Sequence, residues 1–163
     1  MAHSFLITGL FLNSHAPQCR DYTVLSEPNR QQSFGYGSNS LDNKLVPGWY
    51  RFQSSSYSTM VDNCISVRKC SSDLTGWLNG EHPTFEDSIV RREVCFHGLL
   101  SCCYRTVQIR VRECQAYYVY ELNPSPTERF SRYCASGRTL SSALSTSQDS
   151  INGQHALVKK TVS

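Results

Sequence analysis

The chain has 163 residues, a net charge of +3, 39% hydrophobic residues and 18% charged residues. This length allows one domain with tails or two very small domains, and the low apolar content predicts a thin core. The mild charge falls short of that of nucleic-acid-binding domains, so we expect no nucleic acid partner. No apolar run is long enough to span a membrane as a helix.

The N-terminal segment has some features of an export signal. Residues 5–12 (FLITGLFL) resemble the apolar core of a signal peptide, and residues 14–16 resemble a small-residue cleavage site. The basic stretch that usually precedes such a core is absent, and Pro17 would follow the cut. Residues 1–18 therefore fit either a signal peptide or a disordered N-terminus.

Strand patterns in the first half of the chain are short. Residues 22–25 have strand character, and the Gly- and Ser-rich stretch after them predicts a loop. Pro47-Gly48 predicts a turn that leads into an aromatic strand at 49–52. Farther along, His82-Pro83 predicts another turn, and residues 89–96 fit either a strand or a short helix.

The clearest periodicity lies at 105–112, where Val107, Ile109 and Val111 alternate with polar residues. This alternation predicts a half-buried strand with Arg110 and Arg112 on its outer face. Residues 115–122 are rich in β-formers and predict a second strand, which we expect to pair with the first in antiparallel fashion. Residues 136–163 are rich in Ser and Thr and lack aromatic residues, so they predict a disordered tail or linker.

Eight cysteines, seven of them between Cys64 and Cys134, give the strongest indication of class. Such a density is typical of secreted domains that disulfides hold together. Adjacent Cys102 and Cys103 rarely bond to each other, because the small ring would strain the peptide between them. Spacing alone does not choose among the remaining pairings. We therefore predict a secreted, mainly β, small disulfide-rich domain with antiparallel strands and long loops.

Other uses of the cysteines are disfavoured. Structural zinc sites favour closely spaced cysteine pairs, and the sequence contains no C-x-x-C. Full pairing would leave no thiol to act as a nucleophile beside His97, and His82 fits a turn residue better than a base. The sequence also lacks nucleophile-elbow, phosphate-loop and paired-carboxylate motifs. We expect no enzyme activity, no metal and no cofactor.

Aromatic residues and arginines offer a candidate ligand surface. About half of the aromatic residues on alternating strands belong to a core, and we assign both tryptophans and most tyrosines to it. Arg110 and Arg112, with Tyr118 and Tyr120, would form a surface for anionic glycans. The alternative is that the arginines lie on a solvated polar face.

Several motifs occur in a specific order: GWYRF at 48–52, WLNGEHP at 77–83, IVRREVC at 89–95, CC at 102–103, YYVY at 117–120 and YC at 133–134. In this order they resemble the eight-cysteine module of the uromodulin, pancreatic secretory granule glycoprotein and oncoprotein-induced transcript protein family. The resemblance covers residues 19–135, and residues 19–28 resemble the arm that precedes this module. The cysteine pattern is also similar to the N-terminal region of von Willebrand factor D and EGF domain-containing proteins.

The resemblance implies how the cysteines pair and which bridge is missing. Family members usually have one more disulfide, whose ends fall near Leu41 and Arg129, and both of its cysteines are absent here. This paired loss leaves no orphan thiol and predicts a looser segment at 30–46. The implied pairs are Cys19–Cys114, Cys64–Cys102, Cys70–Cys134 and Cys95–Cys103.

The resemblance implies a secreted, non-catalytic module for extracellular recognition or matrix building. In uromodulin-like members an asparagine that matches Asn79 carries a glycan that acts as a decoy for bacterial adhesins. Here Glu81 stands where Ser or Thr is required, and no N-x-S/T site occurs in the chain, so this mechanism does not transfer. The alternative function is direct carbohydrate or adhesin binding through the aromatic and Arg surface. The expected partner is an extracellular protein or glycan.

Overall fold

A seven-stranded sheet is the main feature of the computed structural model, which describes residues 16–37, 40–126 and 130–137. The prediction of a mainly β domain is confirmed, whereas most of the predicted N-terminal and C-terminal segments lie outside these ranges. Within them, no helix has the length and apolar character needed to cross a membrane. Short 3-10 turns occur at Pro17–Cys19, Pro28–Arg30 and Phe85–Asp87. The strands are β1 (Thr23–Leu25), β2 (Gly48–Phe52), β3 (Thr59–Met60), β4 (Leu74–Asn79), β5 (Ile89–Gly98), β6 (Ser101–Glu113), β7 (Tyr118–Leu122), β8 (Ser131–Tyr133) and β9 (Ala135–Ser136).

The strand order across the sheet is β1-β2-β7-β6-β5-β4-β8. Neighbouring strands are antiparallel, except for the parallel pairs β1–β2 and β4–β8. Strands β3 and β9 form a separate two-stranded sheet. Both edge strands of the large sheet are only three residues long, so they offer few unpaired backbone groups to other chains.

The hairpin of β5 and β6 forms the centre of the sheet. Its register places Val94 opposite Val107 and Arg92 opposite Ile109. Ile109 and Val111 are buried and Val107 packs against the core, as the alternation predicts. Residues 89–96 form a strand and not a helix, because β6 offers them a backbone partner along their whole length. The predicted antiparallel pairing of β6 with β7 is also confirmed.

One face of the sheet carries the hydrophobic core. Two residues between β2 and β4, Tyr57 and Met60, belong to the same buried cluster as the strand residues. The hydroxyl of Tyr57 donates hydrogen bonds to carbonyls near the end of β1, which joins the covering loop to the sheet. The strand residues of the cluster include Tyr50, Phe52, Leu78, Val94, Phe96, Val111, Tyr120, Leu122 and Tyr133.

The N-terminal arm covers the opposite face at one end of the sheet. Cys19, Cys114 and Val119 form a buried cluster there. Val119 lies directly across from Arg112, so the two side chains share a face. Arg112 is only 7% exposed, and its Nη1 lies 3.5 Å from the hydroxyl oxygen of Ser88, so its predicted outward exposure is wrong. The alternation along β6 correctly predicts on which face of the sheet Arg112 lies, but it does not show whether another segment covers that face.

A buried ion pair ties the segment at 30–46 to β8. Arg30 and Asp42 are 1% and 4% exposed, and their Nη1–Oδ2 and Nη2–Oδ1 distances are 2.6 and 3.0 Å. The backbone N–H of Tyr133 also donates to Asp42, at 2.9 Å. Ionic and backbone contacts thus hold Asp42 next to the position of Leu41, where one end of the absent bridge would lie, while the looser segment at 30–46 stays a prediction.

Gly76 in β4 lies between β5 and β8 at a point of close approach. A Cβ atom at this position would lie 2.8 Å from both the ring of Phe96 and the carbonyl oxygen of Arg132. Such a distance is shorter than any normal carbon contact. The glycine that precedes the WLNGEHP motif is therefore required by packing within the sheet.

Candidate functional site

All eight cysteines are bonded in the structure, in the pairs Cys19–Cys114, Cys64–Cys102, Cys70–Cys134 and Cys95–Cys103. Their Cα–Cα distances, from 4.7 to 5.8 Å, lie within the usual range for disulfides. These are the pairs that the family resemblance implies. Two cysteine clusters lie near His97 and near Glu93. Their sulfurs belong to disulfides and are not thiolate ligands for a metal ion.

A cleft of about 270 Å³ lies beside this disulfide frame, where β6 ends and β7 begins. Glu113 and Tyr118 are cross-strand neighbours at that point. Asp62 comes from the loop before β4, and His82 comes from the loop after it. We call this feature the Tyr118 cleft. Its other lining residues are Ser58, Thr59, Glu81, Ala116 and Tyr117.

His82 is fixed in the Tyr118 cleft by ring contacts and hydrogen bonds. Its ring centroid lies 4.6 Å from that of Tyr118. Its Nε2 lies 2.8 Å from the hydroxyl of Tyr120, and its Nδ1 lies 3.5 Å from a carboxylate oxygen of Asp62. The Tyr120 hydroxyl already accepts from the backbone N–H of Met60, so we assign its proton to His82 Nε2. Neutral His82 then carries its own proton on Nδ1, facing Asp62.

The charge of the Tyr118 cleft is negative. Burial lowers the pKa of His82 despite the opposing effect of Asp62, so this ring is neutral at pH 7. Burial raises the pKa of Glu113, and the negative charge of Asp87 raises it further. Asp62, Glu81 and Glu113 line the cleft, and among the described residues no Lys or Arg lines it. The cleft thus combines three carboxyl groups with tyrosine rings.

The four residues of the predicted ligand surface do not lie on one surface. Tyr118 lines the cleft, whereas Tyr120 is fully buried beneath it and belongs to the core. Arg110 is exposed on the opposite face of the sheet, and Arg112 on that same face is buried. Tyr120 and Arg112 are therefore corrected to interior positions. Strand alternation separates the tyrosines from the arginines here. In the register of β6 and β7, Tyr118 and Tyr120 lie across from Glu113 and Val111, so they lie on the face opposite to that of the two arginines.

The face that carries Arg110 is polar and internally paired. Arg110 forms two hydrogen bonds with Glu121, one of them 2.6 Å long, and its guanidinium lies 5.7 Å from the ring centroid of Trp49. On the same sheet, Asn79 donates to Glu93 at 3.1 Å. These contacts fit the alternative of a solvated polar face. Both tryptophans are half-buried, and each packs against a cluster that contains a disulfide.

Asp62 and Glu113 are site residues that the sequence analysis does not predict, and His82 is predicted there only as a turn residue. These three residues belong to segments far apart in the chain, and the path of each loop brings them together. For Glu113, the indication in the sequence is its position directly before Cys114, because a bridged cysteine fixes the backbone beside it. No comparable pattern pointed to Asp62.

Comparison with known proteins places the chain in a family. The family described as the uromodulin-like domain matches residues 50–135. Pancreatic secretory granule membrane major glycoprotein GP2 of Homo sapiens is 37% identical over 117 residues, which cover 71% of this chain and 21% of GP2. GP2 of Canis lupus familiaris is 36% identical over 122 residues, which cover 74% of this chain and 24% of GP2. Uromodulin of Mus musculus is 36% identical over 117 residues, which cover 71% of this chain and 18% of uromodulin.

The match spans about a fifth of the length of these relatives. Four disulfides agree with the prediction of a secreted or extracellular protein. The matched segment begins in β2 and ends in β9, so it contains most of the sheet and three of the four bridges in full. This chain belongs to the uromodulin-like domain family.

Proposed function

We propose that the chain is a non-catalytic module for recognition of an extracellular partner. The observation that carries this proposal is the position of the Tyr118 cleft on a disulfide-fixed frame. Glu113 and Ala116 flank Cys114, whose bridge to Cys19 joins segments 95 residues apart. A cleft with this support keeps its shape without a bound ligand, which lowers the entropic cost of binding.

The bonding of the cysteines and of His82 supports a non-catalytic role. Every cysteine sulfur is in a disulfide and is thus not a nucleophile. Both ring nitrogens of His82 have polar neighbours, Tyr120 and Asp62, that hold the ring in place. The names of the matched relatives, GP2 and uromodulin, are not those of enzymes.

The domain organisation follows from the same proposal. Residues 19–135 form the arm and the eight-cysteine module, and its partner is an extracellular protein. The predicted signal peptide or N-terminal segment and the predicted tail or linker lie mostly outside the described residues, and Ser136 at the start of that tail belongs to β9. Support comes from the family match at 50–135 and from the contact of the arm with the sheet through Cys19–Cys114.

Binding arrays test the proposed function. The chain, expressed through a secretory pathway, is applied to an array of secreted and cell-surface ectodomains and to a glycan array. We expect saturable binding to at least one ectodomain, and we expect reduction and alkylation of the chain to abolish it, because the bridges hold the cleft. Binding no stronger than that of the reduced chain across both arrays would contradict a recognition role.

The second candidate function is direct carbohydrate or adhesin binding. The observation that favours it is the exposed guanidinium of Arg110 near the ring of Trp49, which together offer a cation and a partly exposed aromatic surface. The pairing of Arg110 with Glu121 weakens this second candidate function. A glycan signal that Arg110→Ala removes and Arg68→Ala leaves intact would support it, whereas a glycan array without signal would exclude it.

A further inference from the structure

We propose that the Tyr118 cleft binds the cationic side chain of a lysine or arginine on the partner protein. This inference rests on the proposed recognition function and deepens it, because it gives the chemistry of the group that the module recognises. It uses three features of the cleft: its size, its aromatic rings and its charge.

The size and the rings suit a long side chain with a charged end. A volume of about 270 Å³ holds one such side chain and leaves no room for a folded element. The ring of Tyr118 is half-buried and tilted at 42° to the ring of His82. A tyrosine face attracts an ammonium or guanidinium group, and the methylene stem packs against the ring.

The charges of the cleft select a cation. In the part of the chain that the structure describes, the lining includes three carboxyl groups and no Lys or Arg. Arg92 lies close by, and its Nε donates to the backbone carbonyl of Glu81 at 2.8 Å. Its positive charge acts on His82 and offsets only part of the negative charge of the three carboxyl groups. Because the His82 ring is neutral at pH 7, it adds no positive charge.

Glu113 gives a second reason for the cleft to favour a cation. It is half-buried beside Tyr118, and burial together with the charge of Asp87 disfavours its ionised form. An opposite charge placed in the cleft would stabilise that ionised form, so binding a cation relieves an unfavourable interaction present in the free protein. A neutral or anionic ligand would leave this interaction in place.

A peptide titration monitored by NMR tests the inference. The probes are the blocked pentapeptides Ac-GGKGG-NH2, its Lys-acetylated form and Ac-GGEGG-NH2. We expect the lysine peptide to shift the amide signals of Asp62, Glu113 and Tyr118 in a saturable manner, and to bind more weakly at high salt. Equal shifts with the acetylated or the glutamate peptide would overturn the assignment to a cation. Saturation of the same signals by Ca²⁺, with no response to lysine, would also overturn it.

Paired variants identify the carboxyl groups involved. The double variant Asp62→Asn/Glu113→Gln should bind the lysine peptide about fivefold more weakly, since a loss of about 0.5 kcal/mol at each partly exposed carboxyl group adds to about 1 kcal/mol. Glu93→Gln removes the same kind of charge from the opposite face and should leave the affinity unchanged. A matching loss in both variants, or no loss in the double variant, would refute the proposal.

The ectodomain array separates this inference from the proposed function. If an ectodomain binds the unaltered chain and the double variant equally well, the module recognises its partner elsewhere, and only the cleft proposal fails. If no ectodomain binds while the lysine peptide occupies the cleft, the recognition role fails and the chemistry of the cleft stands. A thermal unfolding curve of each variant shows that its fold is intact.

Discussion

Arg30 and Asp42 show how a side-chain contact stabilises a region where family members usually have a bridge. The carboxylate of Asp42 accepts hydrogen bonds from both terminal nitrogens of Arg30 and from the backbone N–H of Tyr133. An asparagine at this position would turn an N–H group toward these donors. We predict that Asp42→Asn lowers the free energy of unfolding by about 3 kcal/mol, measured by urea titration.

The pair Arg110–Glu121 provides a matched control, because it is also a two-point contact of arginine with a carboxylate. It lies on the exposed face, where solvent screens the charges. Glu121→Gln should therefore lower the free energy of unfolding by less than about 1 kcal/mol. Equal losses in the free energy of unfolding for Asp42→Asn and Glu121→Gln would show that the burial of Asp42 does not determine the size of the loss.

Glu27 gives the buried pair a dependence on pH. Burial tends to raise the pKa of this carboxyl, but the hydrogen bond and charge of Arg30 outweigh burial and lower the pKa to about 2. The unfolded chain has the ordinary value of 4.5, so the stabilisation is complete above pH 4.5 and is lost as the pH falls toward 2. We predict that Glu27→Gln flattens the decline in stability over this range. An unchanged slope would show that other carboxyl groups cause the decline.

Among the elements, the N-terminal arm depends most on its disulfide. Cys19–Cys114 joins residues 95 apart, whereas Cys95–Cys103 joins residues 8 apart within one hairpin. Loop-closure entropy predicts losses in the free energy of unfolding of about 5 kcal/mol for Cys19→Ser/Cys114→Ser and about 2–3 kcal/mol for Cys95→Ser/Cys103→Ser. Removal of the arm contact should also speed hydrogen exchange at Val119. Unchanged exchange there would mean that the arm does not protect β7.

Strand β6 could be predicted from sequence because its side chains alternate and one of its faces is buried. Strand β8 could not, since all three of its residues are buried although Ser131 and Arg132 are polar. Its position results from parallel pairing with β4, a contact between distant segments that no local pattern encodes. The same holds for Arg112, which is buried although the alternation along β6 places it on the face away from the core.

At the scale of the whole molecule, the cysteine order carried more information than any strand pattern. It indicated the secreted class, and through the family resemblance it implied a set of pairs. The ligand surface could not be derived in the same way. The Tyr118 cleft forms where loops from both sides of β4 meet the ends of β6 and β7, so it depends on tertiary structure.

Non-reducing peptide mapping tests most directly whether four bridges form the frame that supports the cleft. After tryptic digestion we expect the peptide 70–91 to be linked to 133–138, and 93–105 to be linked to 52–68. The peptide that ends at Arg20 should be linked to 113–129. Chymotryptic cleavage after Phe96 should leave the peptide that contains Cys95 attached to the Cys102-Cys103 peptide through a disulfide alone. A free thiol at Cys102 or Cys103, or a different partner for Cys70, would contradict the account.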